Sequence, residues 1–157
     1  MEEVSIREAK LTEWDEVMEL AFRVFLKYEA KEYGREGTEA FAVFVTDNML
    51  KKAFENGHYK VFVATLKDKI IGMLGLRNGN HVSLLFVDGD YHKRGIGREL
   101  LKYTERYLRE HTSFSRVTVN AAPYARQFYY RCGFKDCGEK TCKDGIVYIP
   151  MEKTKIM

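Results

Sequence analysis

The spacing of apolar residues along this 157-residue chain predicts an α/β protein of mixed α+β type, with helices on both faces of one central sheet. Three observations lead there. The apolar pattern changes from helical to strand-like after Gly57 and back to helical after Arg94. Two turn-forming segments, Lys67-Asp68 and Asn78-Gly79-Asn80, separate consecutive strand-like runs and imply hairpins. Later runs alternate with helical stretches, so β-α-β crossovers are mixed with those hairpins.

The elements follow in order. Val4 to Ala9 reads as a first strand, and Thr12 as the N-cap of a helix whose stripe is Trp14, Val17, Met18, Ala21, Phe25 and Tyr28. A polar interval from Glu29 to Thr38 contains Gly34 and Gly37. A second helix is expected from about Glu39 to Glu55, with Phe41, Val45 and Met49 on one face and Gly57 ending it. Strands are expected over Tyr59–Leu66, Lys69–Leu76 and His81–Val87. The loop Asp88–Arg94 then meets a helix with an inner face of Ile96, Leu100, Thr104, Tyr107 and Leu108. Arg116–Asn120 reads as a strand, Tyr124–Arg131 as a short helix, and Phe134–Lys140 and Ile146–Glu152 as closing strands. The predicted order is β-α-α-β-β-β-α-β-α-β-β, and residues 1–157 are expected to form one domain.

Composition narrows the function classes. Residues 1–90 carry 12 basic and 16 acidic side chains, whereas residues 91–157 carry 14 and 7. A net +3 argues against a nucleic-acid coat, and the basic second half suggests an anionic ligand held there. The apolar runs Phe41–Val45 and Ile70–Leu76 are too short to span a bilayer. The start, Met1-Glu2-Glu3, lacks the basic and apolar segments of a signal peptide. Cys132, Cys137 and Cys142, five residues apart, match neither a redox pair nor a zinc site. A reduced, cytoplasmic protein without metal or membrane partner is therefore expected.

The segment richest in chemistry is Val87-Asp-Gly-Asp-Tyr-His-Lys-Arg-Gly95-Ile-Gly97-Arg98. A strand ends, a polar loop turns, and a helix starts on two glycines. Unpaired amides and the helix dipole at such a start favour phosphate oxygens. Gly95 and Gly97 would keep side chains away from the anion, and Lys93, Arg94 and Arg98 add charge. The wider stripe of Arg94, Arg98, Lys102 and Arg106 extends about 18 Å along the helix, so its far end is a solvated face. Neither a Walker loop nor the three-glycine dinucleotide fingerprint is present.

These residues resemble the GNAT superfamily of N-acetyltransferases. Its central motif, Gln or Arg, two variable residues, Gly, one residue, then Gly or Ala, stands here as His92-Lys-Arg-Gly95-Ile-Gly97 after Leu85-Phe-Val87. His92 departs from the commonest first residue, which leaves that position its backbone role. A second block, Asn120-Ala-Ala-Pro-Tyr-Ala125-Arg-Gln-Phe128-Tyr129-Tyr-Arg-Cys-Gly133-Phe134, is similar to the family's Asn…Ala…Phe-Tyr…Gly-Phe pattern.

The resemblance implies a mixed, mostly antiparallel sheet and acetyl-CoA as co-substrate. Pyrophosphate would rest on the amides from His92 through Lys93, Arg94, Gly95 and Ile96 to Gly97. Leu84, Leu85, Phe86 and Val87 would pair with the pantetheine arm, an amide of Phe86 or Val87 polarising the thioester carbonyl. Tyr129 would protonate the departing thiolate, and Asn120 would hold CoA or a water.

An amine acceptor must lose a proton before it attacks. His81 is the first candidate base, at a strand position where some members carry a carboxylate. Counting by two from Val87 places it on the same face, provided no bulge intervenes. Glu29, Glu32 and Glu36 are rivals, each otherwise read as part of a solvated charge run. The expected reaction is direct attack in a ternary complex on a small-molecule or peptide amine, in a chain that can form homodimers. The alternative is a CoA- or nucleotide-binding sensor without turnover. No RNP motif points to nucleic acid.

Overall fold

The computed structural model describes residues 3–156; the Met1-Glu2 start considered above lies outside them. Strand β1 (Ser5–Glu8) leads through a 3-10 turn (Leu11–Glu13) into α1 (Trp14–Tyr28), α2 (Ala30–Val45) and α3 (Asn48–Glu55). A meander of β2 (Lys60–Leu66), β3 (Lys69–Arg77) and β4 (His81–Val87) follows. Next come α4 (Ile96–His111), β5 (Val117–Ala121) and α5 (Arg126–Arg131). Strands β6 (Lys135–Asp136), β7 (Thr141–Lys143) and β8 (Ile146–Lys153) close the chain. The sheet order is β1-β2-β3-β4-β5-β8-β6, with β7 paired to β8. Among the described residues only β4 and β5 pair in parallel; the other pairs are antiparallel.

The expected mixed, mostly antiparallel sheet with helices on both faces is present. Phe62, Leu74 and Val82 pack with Leu100, Leu101 and Leu108 of α4 on one face. Val61, Val63, Met73, Leu84 and Phe86 pack with α1, α2 and α3 on the other, where Phe25 stacks on Phe41 at 4.1 Å. Both predicted turns of the meander form with two successive residues at positive φ, Lys67-Asp68 and Asn78-Gly79. That geometry suits the twist of the flanking strands.

Several boundaries differ from the prediction, each for a local reason. Thr12 does not cap α1; the Glu13 carboxylate accepts the Lys10 amide at 2.7 Å and pairs with Arg7 at 2.8 Å. The polar interval after Glu29 is mostly helical, broken only where Gly34 turns to φ 69°. The second predicted helix is two helices. Asp47 leaves helical geometry and accepts the Met49 amide at 2.8 Å, which starts α3 afresh. Met49 is consequently exposed and does not share a face with Phe41 and Val45. The last strand pair is a set of three, because the chain between Asp136 and Thr141 leaves the sheet.

Candidate active site

The site begins where β4 and β5 part. They pair only at His81↔Thr118 and Val82↔Val119, so the rest of β4 has an open edge toward β5. Which amides line that edge follows from strand alternation. The Asp88 amide donates to Ile71 of β3 at 2.8 Å. Phe86, two residues earlier, turns its amide the same way, whereas Leu85 and Val87 turn theirs toward the gap. Of the two amides considered for the thioester carbonyl, only that of Val87 therefore faces the opening.

A bulge sits at the start of β4. Gly75 is opposite Leu84 but Leu76 is opposite Val82, which leaves Ser83 without a partner. The Tyr59 hydroxyl, 2.7 Å from Ser83 Oγ, fills the space beneath it. The bulge reverses the parity, so His81 lies on the face opposite Val87 and the count by two fails there. His81 lines the cleft beside the gap, its Nδ1 2.8 Å from Thr118 Oγ1. Burial, with Arg77 adding to it, lowers its pKa to about 4, and the ring is neutral at neutral pH.

Beyond Val87 the loop is braced on both sides. Asp88 accepts the Asp90 amide at 3.1 Å and pairs with Arg23 of α1 at 3.3 Å. His92 Nε2 lies 2.6 Å from the Val87 carbonyl oxygen, and its ring lies against Tyr28. Its side chain is thus committed to the loop itself. Lys93 and Gly95 adopt positive φ, and Gly95 caps α4. The amides of Ile96, Gly97 and Arg98 occupy the first helical turn, where no intrahelical acceptor reaches them.

The two glycines have different causes. Gly95 is required by its φ of 77°, since a Cβ there would meet open space. At Gly97 a Cβ would come 3.1 Å from the Phe128 ring, so that glycine also lets α5 approach α4. Lys93, Arg94 and Arg98 are exposed around this start, with Arg94 lying over the Tyr91 ring.

A cleft of about 480 Å³ lies between the strand gap, the α1–α2 junction and the β7–β8 hairpin. Its roof is the hairpin turn pressed on α2: a Cβ on Gly145 would come 2.7 Å from the Gly37 nitrogen. Asn120, Tyr129 and His81 all line this cleft. So does Glu29, which is only 8% exposed and not part of a solvated run. Burial raises its carboxyl to about 7, Glu32 adds to the rise, and hydrogen bonding to Tyr124 and Tyr33 opposes it. Glu32 and Glu36 are exposed.

Tyr129 is buried between Phe128 and Phe134. Its hydroxyl is pushed up by burial and by Glu29, so it keeps its proton at neutral pH. Sequence reasoning missed Tyr33, Tyr124, Tyr148 and Arg77 as cleft residues. Tyr124 stood inside the second motif block and could have been noticed; the other three carry no local signal. Cys132, Cys137 and Cys142 are unpaired thiols, and burial raises the first two. Among the described residues no cluster of His, Cys, Asp or Glu is placed to hold a metal ion, and no helix is long and apolar enough to cross a membrane.

Comparison with known proteins gives this geometry a setting. The family model described as the acetyltransferase (GNAT) domain matches residues 29–155. The UPF0039 protein C11D3.02c of Schizosaccharomyces pombe is 32% identical over 71 residues, 45% of this chain and 47% of that protein, so the match spans about half of its length. The uncharacterized N-acetyltransferase YafP of Escherichia coli is 24% identical over 135 residues, 86% of this chain and 83% of that one.

Solved structures agree on the fold. A GCN5-related N-acetyltransferase from Rhodopseudomonas palustris superposes with a TM-score of 0.83 at 22% identity, over 98% of this chain and 97% of that one. PaiA N-acetyltransferase from Thermoplasma acidophilum, solved with coenzyme A, gives 0.74 at 20% identity over 97% and 99%. Spermidine N-acetyltransferase from Vibrio cholerae, solved with CoA and spermine, gives 0.69 at 14% identity over 97% and 95%.

Proposed function

The chain belongs to the GNAT acetyltransferase family, and from that premise we propose that it moves the acetyl group of acetyl-CoA to a primary amine by direct attack in a ternary complex. The observation that carries this reading is the open edge of β4 beside the start of α4. An extended chain of amide character can pair with the Leu85 and Val87 backbone there, while an anionic end meets the amides of Gly95, Ile96, Gly97 and Arg98. Lys93, Arg94 and Arg98 supply mobile positive charge around that end.

The Val87 amide stabilises negative charge developing on the thioester carbonyl oxygen. The amine nitrogen forms a bond to the carbonyl carbon, and the bond from that carbon to sulfur breaks. Sulfur takes a proton from the Tyr129 hydroxyl, which keeps one at neutral pH. The amine's own proton passes to a base in the cleft. His81 is neutral there and has a lone pair, but with a pKa of about 4 it is a weak base. Glu29, titrating at about 7, matches the task better. Asn120 is assigned to CoA or to a bound water.

The same proposal includes a cytoplasmic location, a single domain over residues 1–157, a small-molecule or peptide amine as partner and a capacity for homodimers. It includes no nucleic acid, membrane or metal. Release of free thiol from acetyl-CoA on adding amines tests the activity. Tyr129→Phe is expected to lower kcat about 100-fold with little change in KM for acetyl-CoA. Tight CoA binding without thiol release for any amine would instead establish the sensor.

A further inference from the structure

Resting on the acetyltransferase reading, we propose that the acceptor is a compact monoamine, its one ammonium docked on Glu29 and its apolar body against Phe25, Phe41, Phe44, Tyr33 and Tyr124, and that a polyamine is a poor acceptor. The lining carries this. Glu29 is the deeply buried carboxylate among the described cleft residues, and the hydroxyls of Tyr33 and Tyr124 converge on it. A buried carboxylate facing a cavity gains most from a cation that replaces its lost hydration.

Beyond Glu29 the cleft changes character. Phe25 stacks on Phe41, and Phe44 and Tyr148 extend the apolar wall. The remaining charged residues of the lining are Arg77, Lys143 and Asp144. Two cations and two carboxylates cancel formally. A second or third ammonium would thus find Asp144 already beside Lys143 in sequence, and Arg77 opposing it. A polyamine requires several carboxylates along its length, and this cleft does not supply them. The cleft of about 480 Å³ also takes the thioester end of the donor along Leu85, Asn120 and Tyr129, and the space left suits a small amine with one ring or a short alkyl chain.

The test compares phenethylamine and butylamine with spermidine in the thiol-release assay on the full chain. The monoamines are expected to exceed spermidine in kcat/KM by about tenfold or more. Glu29→Gln should raise KM for phenethylamine about tenfold while leaving KM for acetyl-CoA within about twofold, and Glu29→Asp should recover part of it. Arg77→Glu, at an exposed position, should raise kcat/KM for spermidine several-fold and serves if Glu29→Gln folds poorly. Spermidine equalling or exceeding the monoamines, or an unchanged amine KM in Glu29→Gln, overturns the inference and leaves acetyl transfer standing. No thiol release with any amine while CoA binds overturns the acetyltransferase reading, and this inference with it.

Discussion

His92 Nε2 lies 2.6 Å from the carbonyl oxygen of Val87, so one side chain ties the glycine-bearing loop to the end of β4. The carbonyl it takes is on the same strand edge as the Val87 amide assigned to the thioester. A single hydrogen bond of this kind contributes about 0.5–1.5 kcal/mol. His92→Ala should therefore raise KM for acetyl-CoA by about two- to tenfold and leave the thermal midpoint nearly unchanged, because the residue is exposed. His92→Gln, which restores a donor, should recover most of the loss. An unchanged KM in the alanine variant would remove His92 from donor binding.

Tyr59 holds the Ser83 bulge, and with it the side of the strand on which His81 lies. Its hydroxyl is buried, bonded to Ser83 Oγ at 2.7 Å, and fills the space over Gly75. Tyr59→Phe leaves Ser83 only a 3.4 Å contact to the Gly75 carbonyl. We expect a loss of about 1–2 kcal/mol in urea unfolding. Gly75→Ala should be worse, since its Cβ would fall 1.9 Å from the Tyr59 hydroxyl oxygen. Combining it with Tyr59→Phe should not restore stability, because ring carbon Cζ would still lie 2.7 Å away. Recovery in the double variant would mean that the hydroxyl alone sets the packing.

Much of this architecture was legible because the relevant signals are local. Lys67-Asp68 and Asn78-Gly79 announce hairpins through their own backbone preferences, and Ile96, Leu100 and Thr104 mark the inner face of α4 by spacing. The Gly95-x-Gly97 pair announced a helix start. What escaped depends on contacts distant in sequence. The bulge at Ser83 is stabilised by Tyr59, 24 residues away, and no strand pattern reveals it. Glu29 resembles its exposed neighbours Glu32 and Glu36 until α1, α2 and the Tyr124 segment fold around it. The break at Asp47 was hidden because Phe41, Val45 and Met49 satisfy helical spacing whether or not the helix is continuous.

The pH dependence of kcat/KM separates the two bases. An amine that binds as its ammonium imposes no slope below its own pKa near 10, so the break at lower pH belongs to the base. With Glu29 as acceptor of the proton, the break lies near pH 7; with His81, near pH 4. We expect the wild type to show the break near 7, His81→Ala to keep it, and Glu29→Gln to lose it with a lower rate throughout. A break near 4 that disappears in His81→Ala would return the role to His81.

Glu29 also has a stability cost whose sign is fixed by its raised pKa. The native protein holds the Glu29 proton up to about pH 7, whereas the unfolded chain releases it near 4.5. Below 4.5 both states are protonated and the group costs nothing. As pH rises from 4.5 to 7 the unfolded state gains, and stability falls, reaching a loss of about 3 kcal/mol at pH 8. Glu29→Gln removes the titration while keeping the size and a hydrogen-bonding group beside Tyr33 and Tyr124. Urea unfolding at pH 8 should find this variant more stable than the wild type by up to about 3 kcal/mol, with the gain shrinking toward zero by pH 4.5. A variant equally destabilised at both pH values would show that Glu29 is ionised at no cost, and would take from it both the proton-accepting role and the buried setting that favours an ammonium.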